Sequence, residues 1–313
     1  AFGRQEVIGK KQLKPYMARK DGPGLVFFFG HMAALGLTGF GVHLALGSWW
    51  IVPAIFLHGF VMAFLFAPVH ECSHGTVFRT RWLNEAVYWV VCLIYLVPPT
   101  FFRYAHATHH TYTQVRGWDP DMMPERMNLW HYIKLTLGIP FWTRNFLWFV
   151  MHPFGRIHPD QRYYLPEGEI PKAVREARII LLLYGGVAII SLYLGTWALL
   201  LYWIIPRLVG EPFMRWLRFA EHGECDEGPD LRHNTRTTSA PPWLHFLFWN
   251  MSYHAEHHLC PMVPFHALPK LHSEIGGQLH PVGEGYFSVH HDLLGKITRH
   301  QGVTWKEPVS VAE

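Results

Sequence analysis

His254-Ala255-Glu256-His257-His258 is the stretch on which the reading of this 313-residue chain turns. Residues three and four apart on a helix share a face, so three imidazoles at i, i+3 and i+4 converge on one point. The same spacing recurs in His106-Ala107-Thr108-His109-His110, and His70-Glu71-Cys72-Ser73-His74 adds an i, i+4 pair. With 23 histidines in 313 residues, an HxxHH pattern is expected ~0.12 times by chance, so two copies beside a paired box exceed accidental motif matching.

Each box lies near the end of an apolar stretch, which ties metal binding to a membrane. Half of the residues are hydrophobic, with 14 Trp, 22 Phe and 13 Tyr, while only 16% are charged; a soluble domain needs fewer large apolar groups. The slightly positive mean hydropathy of +0.07 suits a chain partly in lipid and partly in water. Cys72, Cys92, Cys225 and Cys260 form no CxxC pair, which argues against a disulfide framework, a zinc knuckle or an intrinsic iron-sulfur centre. The net charge of +4 is modest and no nucleic-acid motif accompanies it.

Leu25 to Leu46 and Trp49 to Pro68 each approach the ~20 residues a membrane helix requires, with only Gly47-Ser48 between them. They predict a hairpin that delivers His70 and His74 at its end. A second hairpin is predicted from Arg178 to Leu194 and Trp197 to Phe213, turning at Gly195-Thr196 and tolerating Pro206 and Arg207. Trp82 to Phe102 lies between two boxes that must share a side, so it reads as an interfacial or re-entrant segment; Leu129 to Met151 reads similarly. Both hairpin tips lack charge, whereas the Lys and Arg gather on the opposite side, which the positive-inside rule makes cytoplasmic.

The expectation is therefore an all-α, multi-pass integral membrane protein with four transmembrane helices in two hairpins and a cytosolic helical cap holding a di-metal site. Residues 1–24 form a cytosolic lead-in, 25–272 the membrane domain and 273–313 a cytosolic tail, with the site and both termini on the cytoplasmic side.

Eight box histidines are too many for one ion, since even a closed zinc site takes four ligands. Two metals sharing eight or nine imidazoles is the economical solution, with His222 of Phe219-Ala220-Glu221-His222-Gly223 as the candidate ninth. Glu71, Asp119, Glu221, Asn250 and Glu256 lie in or near the boxes and are candidates for orienting imidazoles from behind. Imidazole suits Fe, Zn, Cu and Ni alike. A pair of oxidisable metals beside lipid favours oxygen activation, because an unactivated C–H bond offers nothing to an acid, a base or a nucleophile.

With boxes reading HxxxH, HxxHH and HxxHH, the sequence resembles the integral-membrane fatty acid desaturases and hydroxylases. The resemblance extends over roughly residues 25–272 and takes in Asp119-Pro120, Asn234-Thr235-Arg236-Thr237 and Pro264-Phe265-His266-Ala267-Leu268-Pro269. It implies two irons held by His70, His74, His106, His109, His110, His254, His257 and His258, with His222 resembling the extra ligand that precedes the last box. One subgroup also uses an Asn, through water, four residues before that histidine; here the position is Arg218, so that contact is absent or replaced. The implied chemistry uses O2 as co-substrate to remove a hydrogen atom from a lipid or fatty acyl substrate. A second removal yields an alkene and oxygen return an alcohol.

Electrons must come from a separate donor of ferredoxin, rubredoxin or cytochrome b5 type, since no such module is fused within the chain. The alternatives within this chemistry are a lipid hydroxylase, a carotenoid-type ketolase and an alkene-forming decarboxylase. A zinc-dependent membrane hydrolase would work without oxygen, and a metal transporter would place its histidines along the spans. His31, His43 and His58, which do lie in predicted spans, read as helix-to-helix hydrogen bonders.

Overall fold

The computed structural model describes residues 7–124, 126–299, 303 and 304, so the extremities of both predicted terminal segments lie outside the described residues. The chain is mainly helical. The helices that position the site are α1 (Asp21–Leu44), α2 (Ile51–Ala63), α3 (Phe66–Ser73), α4 (Arg81–Tyr95), α5 (Pro99–Thr111), α6 (Leu129–Thr136), α7 (Ile139–Met151), α8 (Ile170–Tyr193), α9 (Ile205–His222), α10 (Pro242–Leu247), α11 (His254–Leu259), α12 (Leu268–Ile275) and α13 (Tyr286–Arg299). Strand β1 (Thr237–Thr238) pairs in parallel with β2 (Val282–Gly283).

Asp21–Leu44, Ile51–Ser73 and Glu167–Tyr193 are long and apolar enough to cross a membrane. Helices α1 and α2 run antiparallel, as the pairings His31 Nε2 to Val61 O (3.1 Å) and Thr38 Oγ1 to His58 Nδ1 (2.9 Å) require. The Asp21 carboxylate accepts from the Thr80 amide and hydroxyl, so the start of α1 lies at the same end as the first box. His58 also reaches the Tyr202 carbonyl at 3.1 Å, within the π-helical turn Leu200–Ile204 that leads into α9. His31 and His58 thus join helices, and neither belongs to the box clusters.

The second half departs from the expected span boundaries. Helix α8 starts at Ile170, before the predicted Arg178, and the helix predicted for Trp197–Phe213 continues to His222. That helix carries Arg207, Glu211 and Arg215 and is not among the three that qualify by length and apolarity. Arg207 and Glu211 are buried together, with Arg207 Nη1 2.5 Å from Glu211 Oε2, and the half-buried Arg215 bonds the other oxygen. Helices α2 and α9 touch backbone to backbone at Gly59 and Gly210, where a Cβ on Gly210 would stand 2.0 Å from the Gly59 carbonyl oxygen. Small residues permit this approach.

The interfacial segment predicted near residues 82–102 is a corner. Helices α4 and α5 meet at 98°, with Leu96 in the left-handed region at φ 65°. A break in an apolar setting exposes backbone groups that lipid cannot satisfy, and partners from other helices meet them. The carbonyls of Leu93, Ile94 and Tyr95 accept from the Tyr184 hydroxyl (2.8 Å), Trp203 Nε1 (3.0 Å) and Arg207 Nε (3.2 Å). On the other side of the corner, the Glu176 carboxylate accepts from the Thr100 amide (2.7 Å) and hydroxyl (2.8 Å). This corner turns α5 toward the end of α3, bringing the second box to the first.

Candidate metal centre

The nine predicted histidines fall into two groups. In the first, His70 and His74 from the end of α3, His106 and His110 from α5, and His257 from α11 place one ligand nitrogen each within 4.8 Å of the others. His106 Nε2 lies 2.9 Å from His74 Nε2 and 3.0 Å from His110 Nε2, and His110 Nε2 lies 3.2 Å from His257 Nε2. In the second, His109, His222 and His258 form one set with the same property, and Glu221, His222 and His254 form another. His222 Nε2 and His254 Nε2 are 2.9 Å apart. The rings of His110 and His258, adjacent across the groups, stack at 4.1 Å.

The i, i+3, i+4 spacing of a box does not send all its members to one ion. On α5, His106 and His110 join the first group while His109 joins the second; on α11, His257 joins the first while His254 and His258 face the second. Each HxxHH box thereby bridges the two groups.

Facing Nε2 atoms test the fit to metal. Two donors each about 2.1 Å from one ion and at right angles stand roughly 3.0 Å apart, and the observed separations of 2.9–3.2 Å match. Burial, reinforced by neighbouring imidazoles, holds His222, His254, His257 and His258 well below the ordinary value of 6.5. They are neutral at pH 7 and each offers a lone pair, the form a metal ligand must have.

Some of the second ring nitrogens are held from behind. Asp119 Oδ1 lies 2.8 Å from His109 Nδ1 and is itself fixed by the Asp121 amide, while Oδ2 accepts from the Gln114 amide. Asp119 therefore both makes the turn and orients an imidazole. Glu71 Oε1 stands 3.2 Å from His70 Nδ1, with His257 Nδ1 nearby at 3.6 Å. Glu221 is buried beside His254 with its carboxyl pushed up to about 8 by burial.

Two sequence candidates point elsewhere. Glu256 accepts from the Thr237 hydroxyl and pairs with His272 Nδ1 at 2.5 Å, while Asn250 Nδ2 donates to the Phe265 carbonyl at 3.1 Å. Both fix the approach to and anchoring of α11 rather than an imidazole of the two groups.

Several supporting residues had no signal in the box pattern. Thr113 Oγ1 lies 3.0 Å from His258 Nδ1 and donates to the His109 carbonyl; Gln114 Nε2 donates to the His222 carbonyl at 2.7 Å. The Asn234–Thr237 stretch makes contacts across the centre. Asn234 Nδ2 holds the Thr113 carbonyl, Arg236 caps the end of α9 through the Ala220 and Gly223 carbonyls, and Thr237 Oγ1 accepts from the Ala255 amide. This one segment ties the second box, the end of α9 and the third box together. Arg218 pairs with Asp121 at 2.8 Å and lies over the Phe66 ring.

A cavity of about 290 Å³ adjoins the first group at His106 and is walled by aromatic residues including Phe66, Phe101, Phe102 and Phe141, with Arg144, Arg215 and Arg218 also lining it. A ligand with an apolar body and a polar end fits such a lining.

A family model described as fatty acid desaturase matches residues 22–290. Among curated proteins, the chain is 23% identical to an sn-1 oleoyl-lipid 12-desaturase of Arthrospira platensis, over 79% of this chain and 74% of the relative. It is 26% identical to an sn-1 acyl-lipid omega-3 desaturase (ferredoxin) of Nostoc, over 64% and 58%. It is 28% identical to a human sphingolipid delta(4)-desaturase/C4-monooxygenase, over 71% and 64%.

Proposed function

The chain belongs to the fatty acid desaturase family, and we propose that it is an oxidoreductase that removes two hydrogens from a fatty acyl chain with O2 at a pair of irons. The observation that carries this reading is the division of nine converging histidines into two groups beside a largely aromatic cavity. Five imidazoles, His70, His74, His106, His110 and His257, hold one iron; His109, His222, His254 and His258 hold the other. When bound, the irons supply the capacity to activate O2 and oxidise an unactivated C–H bond. The chain's own residues position and exclude. Asp119 and Glu71 keep His109 and His70 in orientation, and the aromatic wall fixes the acyl carbons beside His106 while keeping water away. Positioning of this kind sets which carbon reacts.

Four membrane crossings, the three qualifying helices and the helix ending in α9, would place the boxes and the start of α1 at one end, on the cytoplasmic side. The donor is a separate reduced protein, and the ferredoxin named in the omega-3 relative favours that type. Hydroxylation is the second reading, supported by the relative named for both desaturase and monooxygenase action. Lipids and free acids from cells expressing the wild type or His257→Ala, grown with and without oxygen, decide between them by mass spectrometry. An oxygen-dependent product lighter by two hydrogens, absent in the variant, is expected. A product carrying an added oxygen moves the assignment to hydroxylase, and turnover without oxygen overturns the oxidase reading.

A further inference from the structure

We propose that Glu221 is a direct carboxylate ligand of the second metal, completing that group beside its four histidines. The inference rests on the two-metal reading above and goes beyond it, since an acid next to a metal-binding histidine ordinarily just steadies an imidazole. The carboxylates around the centre have different partners. Both oxygens of Asp119 and both of Glu256 are hydrogen-bonded, and Glu71 uses one of its two. Glu221 alone, among the described residues, has both carboxylate oxygens buried with no hydrogen-bond partner.

Its placement says what they face. Glu221 Oε2 lies 3.6 Å from His254 Nε2, which is the atom that His254 turns toward His222 Nε2 at 2.9 Å. Successive residues on a helix ordinarily diverge, yet one ligand atom each of Glu221, His222 and His254 lies within 4.8 Å of the others. Two donors about 2.1 Å from one ion and 3.6 Å apart subtend about 118° there, an open but ordinary ligand angle. The cation that would otherwise neutralise Glu221 is engaged, because Arg218 donates to Asp121. An unpaired carboxylate taken out of water is costly, and a metal ion at the point it shares with His222 and His254 removes that cost. With Glu221, each group has five protein donors, five imidazoles in the first and four imidazoles with one carboxylate in the second.

The test uses the full chain in detergent or nanodiscs, loaded without oxygen with ⁵⁷Fe(II), as wild type, Glu221→Gln and Asp119→Asn. Metal analysis counts iron, Mössbauer spectroscopy reads the two sites, and thermal unfolding of the metal-free forms monitors the fold. The expected wild type holds two irons. Glu221→Gln is expected to alter the spectrum of one iron and to release it to a chelator faster by about tenfold or more, with metal-free unfolding unchanged or raised. Asp119→Asn, which acts through His109, is expected to loosen iron while keeping the wild-type spectrum. Two irons with wild-type spectra in Glu221→Gln would overturn the proposal and leave the two-metal reading standing. A Glu221→Gln protein already destabilised without metal would make Glu221 a packing residue and overturn it as well. A wild type unable to hold two irons would overturn both readings together.

Discussion

Replacing Glu176 with Ala strikes the corner that carries the second box, from a helix 76 residues away in sequence. Its carboxylate accepts from both the amide and the hydroxyl of Thr100, at 2.7 and 2.8 Å, and Thr100 is 3% exposed. A hydrogen bond to a charged group contributes ~1.5–3 kcal/mol. The Thr100 hydroxyl is free to rotate to another acceptor, but the amide sits at the first turn of α5 where no intrahelical partner exists. The net loss for Glu176→Ala is therefore about 2–4 kcal/mol, and about half that for Glu176→Gln, whose amide oxygen still accepts one bond. Because α5 carries His106, His109 and His110, loosening its start should also weaken the metal groups. Thermal unfolding of the purified variants, with metal analysis on the same samples, measures both effects. A Glu176→Ala protein with wild-type unfolding and wild-type metal content would refute the claim that this carboxylate holds the corner.

Gly210→Val should destabilise by about 2–3 kcal/mol by overpacking, because its Cβ would meet the Gly59 carbonyl oxygen; unfolding midpoints of this variant and of the wild type check it. Asp119→Asn keeps the turn's size but weakens the hold on His109 Nδ1, so metal affinity should fall about 10–100-fold in a chelator competition. An unchanged affinity would leave Asp119 only its turn. The metal-free protein should lose stability as pH drops below 6.5: His222, His254, His257 and His258 have depressed values in the fold, so the unfolded chain binds more protons and acid favours it. Glu221, raised from 4.5 to about 8, and His109, also raised, act in the opposite direction and offset part of the loss. A midpoint independent of pH from 7 to 5 would contradict this balance.

The clustered histidines were legible because their pattern is local. Two HxxHH boxes and an HxxxH box announce convergence through helical periodicity alone, and the structure gathers all eight with His222. How each box divides was not legible, since i, i+3, i+4 spacing says that three rings share a face and not that they split between two clusters. The partners behind the rings were legible only where close in sequence. Asp119 is ten residues from His109, whereas Thr113 is 145 residues from His258. Glu256, inside a box, nevertheless turns to Thr237 and His272, because its helical position aims it away from both groups.

The charges within the apolar stretches carry the remaining lesson. Arg207 interrupts the apolar helix that contains it, and an ionisable residue in a membrane segment ordinarily suggests a functional site. Arg207 instead satisfies the Tyr95 carbonyl and is neutralised by Glu211, while Glu176 satisfies the Thr100 amide. The bend between α4 and α5 requires such groups, because a helix interrupted in an apolar layer strands donors and acceptors that only polar side chains from other helices can reach. Without the bend, the second box would continue away from the first. The scattered charges of the spans and the clustered histidines of the boxes are therefore parts of one construction: the former make the corner possible, and the corner brings the latter together.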